Sequence, residues 1–215
     1  KFKMDRDLNK YLNPVEEDTE LSIDNLAIDY EKDINLLATM LERGLTVETL
    51  QHFEVGFSYE KNRVVIPVRS YNYRVSGLIG RAIDSSQQPR YLYNKGFKRA
   101  DELFNINNAK HHESVIIVEG SIDAMFVHQA GYPNVVATLG AAVSKNQGQM
   151  IRKFFDKIIL FCDNDDAGIA MGCAMIEMCR GKQISVASVS EGVKDPAEMT
   201  KEQIINAINN KTITL

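Results

Sequence analysis

The chain has 215 residues, 44% of them hydrophobic and 25% charged, with a formal net charge of −4. That is room for one large domain, or one domain and a subdomain. No apolar run approaches the ~18 residues of a membrane span, and no signal peptide is recognisable. The three cysteines, Cys162, Cys173 and Cys179, form no C-x-x-C pair, which excludes a zinc ribbon within the chain. They read as buried thiols of a reducing compartment. A chain that opens on Lys1 is expected to be a fragment or a processed piece.

Charge is segregated along the chain. Residues 1–60 carry a net −8, residues 61–110 a net +7 and residues 111–215 a net −3. The basic middle block is a local field that the whole-chain balance conceals.

Residues 1–32 read as an acidic arm or peripheral segment, with Glu16-Glu17-Asp18 after Pro14. Helical spacing starts near Asp33, with Ile34, Leu37, Met40 and Leu41 on one face and Gly44 as the stop. Thr46 is an expected N-cap for a second short helix through Phe53. Arg63 to Arg69 is strand-like, and Pro67 predicts an edge or a strand end. Tyr71-Asn72-Tyr73 is an expected turn. Val75 to Ile83 returns as a second strand of an antiparallel hairpin, and Tyr91-Leu92-Tyr93 is a short extended piece. Residues 33–112 therefore read as a small, basic α+β subdomain.

From 113 to 215 strands and helices alternate. Strands are predicted at 115–118, 135–138, 158–162 and 184–189. Helices are predicted near Ile122–Ala130, from Ser144 to Phe155, over about Ala167–Cys179, and after Thr200. Ser144 with Gln147, and Thr200 with Gln203, are the cap pairs. Four strands alternating with helices predict an α/β domain with a parallel sheet.

Two of those strands run directly into acids. Val115-Ile116-Ile117-Val118 precedes Glu119-Gly120-Ser121-Ile122-Asp123. Ile158-Ile159-Leu160-Phe161-Cys162 precedes Asp163-Asn164-Asp165-Asp166-Ala167-Gly168. In open α/β sheets ligands gather beyond the carboxyl ends of the strands. Carboxylates crowded there repel, and burial raises the cost, so two divalent cations are the expected neutralisers. Hard oxygen ligands select Mg²⁺ or Mn²⁺ over zinc. Asp163 and Asp165 would share one face if the chain there stays extended. Asp195, in the loop after the fourth strand, would complete the set, and Asp123 would instead support a helix N-terminus. Taken singly, each of these acids reads as a solvated loop acid or a cap; the joint pattern favours metal. Asp163-x-Asp165 lacks the following Thr of haloacid-dehalogenase-type phosphatases. There is also no G-x-x-x-x-G-K-[ST] for a Walker-type ATPase.

The glutamate motif and the Asp-x-Asp motif together resemble the Toprim fold of primases and topoisomerases. Upstream, Leu41-Glu42-Arg43-Gly44-Leu45-Thr46 and Phe53-Glu54-Val55-Gly56-Phe57 resemble the opening of the DnaG-type primase catalytic core. The same holds for the arginine-framed strand Arg63–Arg69, Gly77-x-x-Gly80-Arg81, Pro89-Arg90-Tyr91-Leu92-Tyr93-Asn94 and Lys98-Arg99-x-Asp101-Glu102-Leu103-Phe104. These segments run in order over about residues 35–200. The resemblance implies a Toprim-type parallel-sheet domain preceded by a smaller mixed α+β basic subdomain. It implies template-directed synthesis of short RNA primers on single-stranded DNA. It assigns catalysis to Glu119, Asp163 and Asp165, and metal binding to these three with Asp195. Arg63, Arg69, Arg81, Arg90, Asn94, Lys98 and Arg99 fall on positions that hold template and nucleotide. Gly120, Asp123, Gly140 and Gly168 take supporting places. It implies two Mg²⁺ or Mn²⁺ ions, ribonucleoside triphosphates as substrates, a replicative helicase as partner, and a bacterial cytoplasm, with a phage gene as one source.

Three departures stand out. Ala141 replaces a Thr, Asp166 replaces a basic residue, and Ala197 replaces the second Asp of Asp-Pro-Asp, leaving Glu198 as a candidate substitute. Two other classes stay open: a Toprim nuclease or topoisomerase-like enzyme, and a non-catalytic nucleic-acid-binding module. The tyrosines of the basic block read more as half-buried core than as stacking platforms, and Arg74 as a solvated side chain.

Overall fold

The computed structural model describes residues 28–140 and 142–214. Most of the expected acidic arm, and the departure at Ala141, lie outside those residues. Residues 33–44 do not form one helix. Ile34–Leu37 is a 3₁₀ turn, and Leu37 at φ −101° and ψ 13° breaks the geometry before α1 (Ala38–Leu41). Thr46 does cap α2 (Val47–His52), its hydroxyl accepting from the Thr49 amide at 3.3 Å.

The expected hairpin is the centre of a larger sheet. β1 (Gly56–Ser58), β2 (Arg63–Arg69), β3 (Val75–Ala82) and β4 (Tyr91–Tyr93) pair antiparallel in that order. Pro67 is tolerated because β1 covers only Arg63 to Val65, leaving β2 a one-sided strand from there on.

The second sheet holds β5 (Ser114–Val118), β6 (Val135–Ala137), β7 (Lys157–Leu160), β8 (Gln183–Val186) and β9 (Thr212–Thr214), in the order β6-β5-β7-β8-β9. The first four are parallel, and β9 adds an antiparallel edge that the periodicity did not reveal. The helices are α4 (Ser121–Gln129), α5 (Lys145–Phe154), α6 (Asp166–Met178) and α7 (Lys201–Asn209), with a short α3 (Ile106–Ala109) leading in. Ser144 and Thr200 cap α5 and α7 as their spacing predicted. The fold is Toprim-type, with a smaller mixed part in front of it.

Alternation along β5 explains why its sequence is apolar throughout. Ile116 and Val118 pack with Val64, Ile66 and Val68 of β2 and with α4, whereas Val115 and Ile117 pack with Ile151 of α5 and Met175 of α6. Both faces are covered, so neither needs polar residues. Cys179 is buried, Cys162 is partly so, and Cys173 is exposed, which corrects the expectation for that thiol. α6 turns its Gly168 and Gly172 face to the sheet and leaves Cys173 outside.

Between the two sheets, Phe104 forms a backbone bridge with Ala137 of β6, with N···O distances of 2.9 and 3.2 Å. The fully buried Gln147 donates to the carbonyls of Glu102 at 2.8 Å and Thr138 at 2.7 Å. This fixes the segment carrying Arg99 against the end of β6.

Candidate metal and polyphosphate site

Sheet topology brings the acids together. The chain passes from β5 to β6 on one side, then returns to β7 on the other, so strand order reverses between β5 and β7. That is the switch point at which α/β sheets bind ligands. Register sets the match: Ile117 lies opposite Leu160, and the Phe161 amide donates to the Ile117 carbonyl at 2.9 Å. Two residues further on, the Asp163 amide donates to Glu119 Oε1 at 3.4 Å.

Two glycines permit this packing. A Cβ on Gly168 would stand 2.2 Å from the Asp163 carbonyl oxygen, and one on Gly120 would stand 2.6 Å from Asp123 Oδ2. Glycine lets the first turn of α6 close on the loop after β7, and lets the loop after β5 close on the Asp123 carboxylate.

Asp123 is the most buried of the acids, 8% exposed. Its two oxygens accept from the amides of Gly120 at 3.0 Å and Ala197 at 3.2 Å. It thereby clamps the loop after β5 to the 3₁₀ turn Pro196–Glu198. The reading of Asp123 as a helix-end acid holds for the first bond and missed the second. Asp195 caps that turn through the Glu198 amide, and Glu198 itself accepts from the Lys194 amide at 3.2 Å. Glu198 does not line the cavity.

The electrostatics record the crowding. Burial, then the charges of Asp123, Glu119, Asp195 and Asp165, push Asp163 from 3.8 up to about 8. Burial and Asp195 push Asp123 up to about 7. Burial raises Glu119, helped by Asp165 and Asp195 and opposed by the Asp163 amide and Lys194.

Asp165 keeps an extended backbone, at φ −142° and ψ 174°, and its charge acts on both Asp163 and Glu119. β7 ends at Leu160, and Asp165 Oδ1 caps α6 through the Gly168 amide at 2.9 Å. Its charge reaches the cavity, but its side chain does not line it.

The cavity, about 340 Å³, has a basic wall facing Glu119, Asp123, Asp163 and Asp195. That wall comprises Arg43, Arg81, Arg90 and Arg99, with Lys194 beside the acids. Arg81 is 6% exposed, bonded to the Tyr91 hydroxyl and 5.3 Å from that ring's centroid. Arg99 lies 4.3 Å over the Tyr93 ring and donates to its hydroxyl at 3.1 Å. Tyr91 and Tyr93 thus serve as platforms for guanidinium groups.

The other basic expectations separate from this wall. Arg63 is buried and directed at the Arg90 carbonyl, 3.5 Å away. Arg69 is paired with Glu54 at 2.7 Å in a different cavity. Asn94 braces the Leu78 amide at 2.7 Å. Lys98 is exposed and lines neither cavity. Arg43 and Lys194 were missed. Lys194 had a signal in its adjacency to Asp195, whereas Arg43 had none beyond its resemblance segment.

The donor chemistry fits a hard divalent cation. All the facing groups are carboxylates, and Asp163 Oδ1 is buried without any hydrogen-bond partner. In their present rotamers no three His, Cys, Asp or Glu side chains among the described residues converge tightly enough to enclose an ion. Glu119 and Asp163, with Asp195, are the groups that would hold one.

Comparison with known proteins follows the same lines. Residues 116–200 match the family described as Toprim-like. A DNA primase of Clostridium acetobutylicum is 31% identical over 221 residues, covering 94% of this chain and 35% of its own length. The solved zinc-binding and RNA polymerase domains of the Aquifex aeolicus primase superpose with a TM-score of 0.75 at 26% identity, over 86% of this chain and 58% of that one. A DnaG primase catalytic domain solved with single-stranded DNA superposes at 0.71 with 20% identity, over 88% and 74%. The chain belongs to the DnaG-type primase family, in its Toprim-containing catalytic core. It spans about a third of the length of the curated relatives it matches. The acids follow strands of the second sheet, whereas Arg81 lies on β3 and Arg43, Arg90 and Arg99 lie in turns and loops that precede β5.

Proposed function

We propose that this core performs template-directed RNA primer synthesis on single-stranded DNA. The observation that supports it best is the facing of carboxylates and guanidiniums across one cavity, in a chain of this family. Nucleotidyl transfer needs both: anions to hold cations, and cations to hold a triphosphate.

Arg81, Arg90, Arg99 and Lys194 bind the triphosphate and the template phosphates, because guanidinium forks match phosphate oxygens. The Tyr91 and Tyr93 contacts hold those forks in place before substrate arrives, which lowers the cost of ordering them. Glu119 and Asp163, with Asp195, hold divalent ions, and Mg²⁺ or Mn²⁺ suits their oxygens. Such ions, when bound, lower the pKa of a 3′-hydroxyl and offset the charge of the pyrophosphate leaving group. Asp165 adds negative charge from behind its cap rather than from the cavity wall. Asp123 keeps the two acid loops in register. Arg63, Asn94 and Lys98 act through strand geometry or the template's outer path.

The single-stranded DNA carried by one solved relative is the template class expected here. A replicative helicase is the partner that comes with the reading, and the cytoplasm its compartment.

The test is incubation of single-stranded DNA with labelled ribonucleotides and Mg²⁺ or Mn²⁺. Short RNA products are expected. Nicked template without RNA would instead make the chain a Toprim nuclease. Neither product, together with no heat of Mn²⁺ binding, would leave a binding module.

A further inference from the structure

A second cavity, about 280 Å³, opens where α2, β2 and the segment around α3 meet. Its lining mixes aromatic faces with amide edges: Phe53, Tyr73, Phe104, Asn105, Asn107 and Asn108. Asn105 is spoken for, donating to the Val135 carbonyl at 2.8 Å and accepting from Asn108 at 2.9 Å. Asn107, 7% exposed, lines the cavity beside it.

The mouth of this cavity is an aromatic and cationic surface. Tyr71 is 43% exposed and Tyr73 is 47% exposed. Lys110 Nζ stands 4.5 Å over the Tyr73 ring, and Lys153 Nζ stands 5.4 Å over that of Tyr71. Tyr73 itself sits at φ 68°, a conformation that a bulky residue rarely adopts. Its hydroxyl meets His111 Nε2 at 2.6 Å. Glu54, the acid of the lining, is neutralised by Arg69. Arg74 and Arg152 add exposed positive charge nearby in sequence, and neither is in an ion pair among the described residues.

This surface lies at the far edge of the Toprim sheet. Lys110 precedes β5 and Lys153 precedes β7, whereas Glu119 and Asp163 follow those strands. A four- or five-residue strand separates the two edges by roughly 13–17 Å.

An amide paired with aromatic faces is how proteins hold an unstacked nucleobase, and lysines beside exposed tyrosines are how they track a single strand. We infer that this edge is a second single-strand site. One unpaired base enters the cavity against Asn107 and Tyr73, a neighbouring base lies on Tyr71, and phosphates run along Lys110 and Lys153. The inference deepens the primase reading by giving the strand a grip remote from the acid cavity.

The test is fluorescence anisotropy of labelled oligo(dT) without metal or ribonucleotides, beside primer synthesis by the same variants. Tyr73→Ala is expected to weaken oligo(dT) binding about tenfold, within the usual worth of one stacked base. Lys110→Glu with Lys153→Glu is expected to lower the slope of log K against log salt by about 1.4, from ~0.7 per phosphate on single strands. Asn107→Asp keeps the cavity's volume and should weaken binding through a carboxylate facing the base. The exposed variants guard against a folding defect in that buried one.

Unchanged affinity and salt slope in all three, while Arg81→Ala still weakens binding, would overturn the second site and leave the primase reading standing. Lost strand binding in the three without any RNA synthesis by the wild type would keep the site and sink the primase reading. Displacement of oligo(dT) by millimolar dTMP, abolished by Tyr73→Ala, would reassign the cavity to a free nucleotide and overturn the strand assignment.

Discussion

The two edges of the Toprim sheet handle charge in opposite ways. At the edge before the strands, acids are paired: Glu113 with Lys157 at 2.7 Å, Asp156 with Lys182 at 2.7 Å, and Glu177 with Arg180 at 2.6 Å. At the edge after the strands, Glu119, Asp123, Asp163 and Asp195 face one another, half or fully buried, and none is in a salt bridge with a described residue. Their arginines stand across a cavity rather than in contact. A protein selected only for stability would pair those acids, as it does at the other edge. On the proposed reading, the unpaired cluster exchanges stability for the capacity to bind cations.

The comparison breaks most sharply at Asp163. Asp163→Asn removes a charge that burial and four neighbouring acids oppose. Primer synthesis is expected to fall by about 10³-fold or more, the scale of losing a group that organises transition-state charge. The same variant in EDTA is expected to melt higher than wild type, by about 2–4 °C, which corresponds to ~1 kcal/mol in a domain of this size. Calorimetry at pH 8.5 reads it. An Asp163→Asn variant that is both inactive and less stable would mean that the carboxylate is structural.

A pH series sharpens the same point. Asp163 and Asp123 bind protons more tightly folded than unfolded, at about 8 and about 7 against 3.8. Between roughly pH 4 and pH 8 the folded state therefore holds the extra protons, and stability falls as pH rises. In EDTA the melting temperature is expected to drop from pH 6 to pH 8.5. Saturating Mg²⁺ or Mn²⁺ is expected to restore it, most at the alkaline end, because a bound cation replaces the missing protons.

How much of this was legible in the sequence depends on the range of the interaction. Glu119 and Asp163 were readable because a buried strand announces itself as an apolar run and its carboxyl end follows. Thr46, Ser144 and Thr200 were readable because a cap and its partner lie three residues apart. Asp165 was read as Asp163's companion on an extended chain; its backbone is extended although the ladder stops at Leu160, and what the reading missed is the cap it gives α6. β1 and β9 have three residues each, too short for a period to show. Arg63, Arg69 and Arg81 look alike in sequence. Only the sheet's pairing decides that Arg81 lines the cavity of the acids, while Arg69 lies some six residues along the ribbon in another cavity. The second bond of Asp123, to an amide 74 residues away, had no local signal at all.

Across the cavity, Arg81→Ala tests the basic wall. The guanidinium is buried against Tyr91, and burial lowers its pKa without removing its charge at neutral pH. Oligonucleotide binding is expected to weaken about 10- to 100-fold, the range of a charged hydrogen bond. The salt slope should fall by about 0.7, the value for one phosphate of a single strand left without its cation. Weaker affinity with an unchanged slope would mean that Arg81 braces Tyr91 and touches no phosphate.

The smallest effect belongs to the paired edge, and it is the control for the rest. Lys157→Ala removes a partner from Glu113, with both side chains about half exposed or more, 49% and 70%. Water and salt screen such a pair, so its worth is about 0–1 kcal/mol. The melting temperature is expected to move by about 2 °C or less, and the shift should vanish in about 0.5 M NaCl, where the screening length is only a few ångströms. Lys157 lies at the start of β7 and Asp163 beyond its end, so both changes act on one strand of one sheet. If the lysine variant altered stability as much as Asp163→Asn, the asymmetry between the edges would be one of strand position. A small shift at Lys157 and a large, opposite one at Asp163 would tie the difference to unpaired, buried charge.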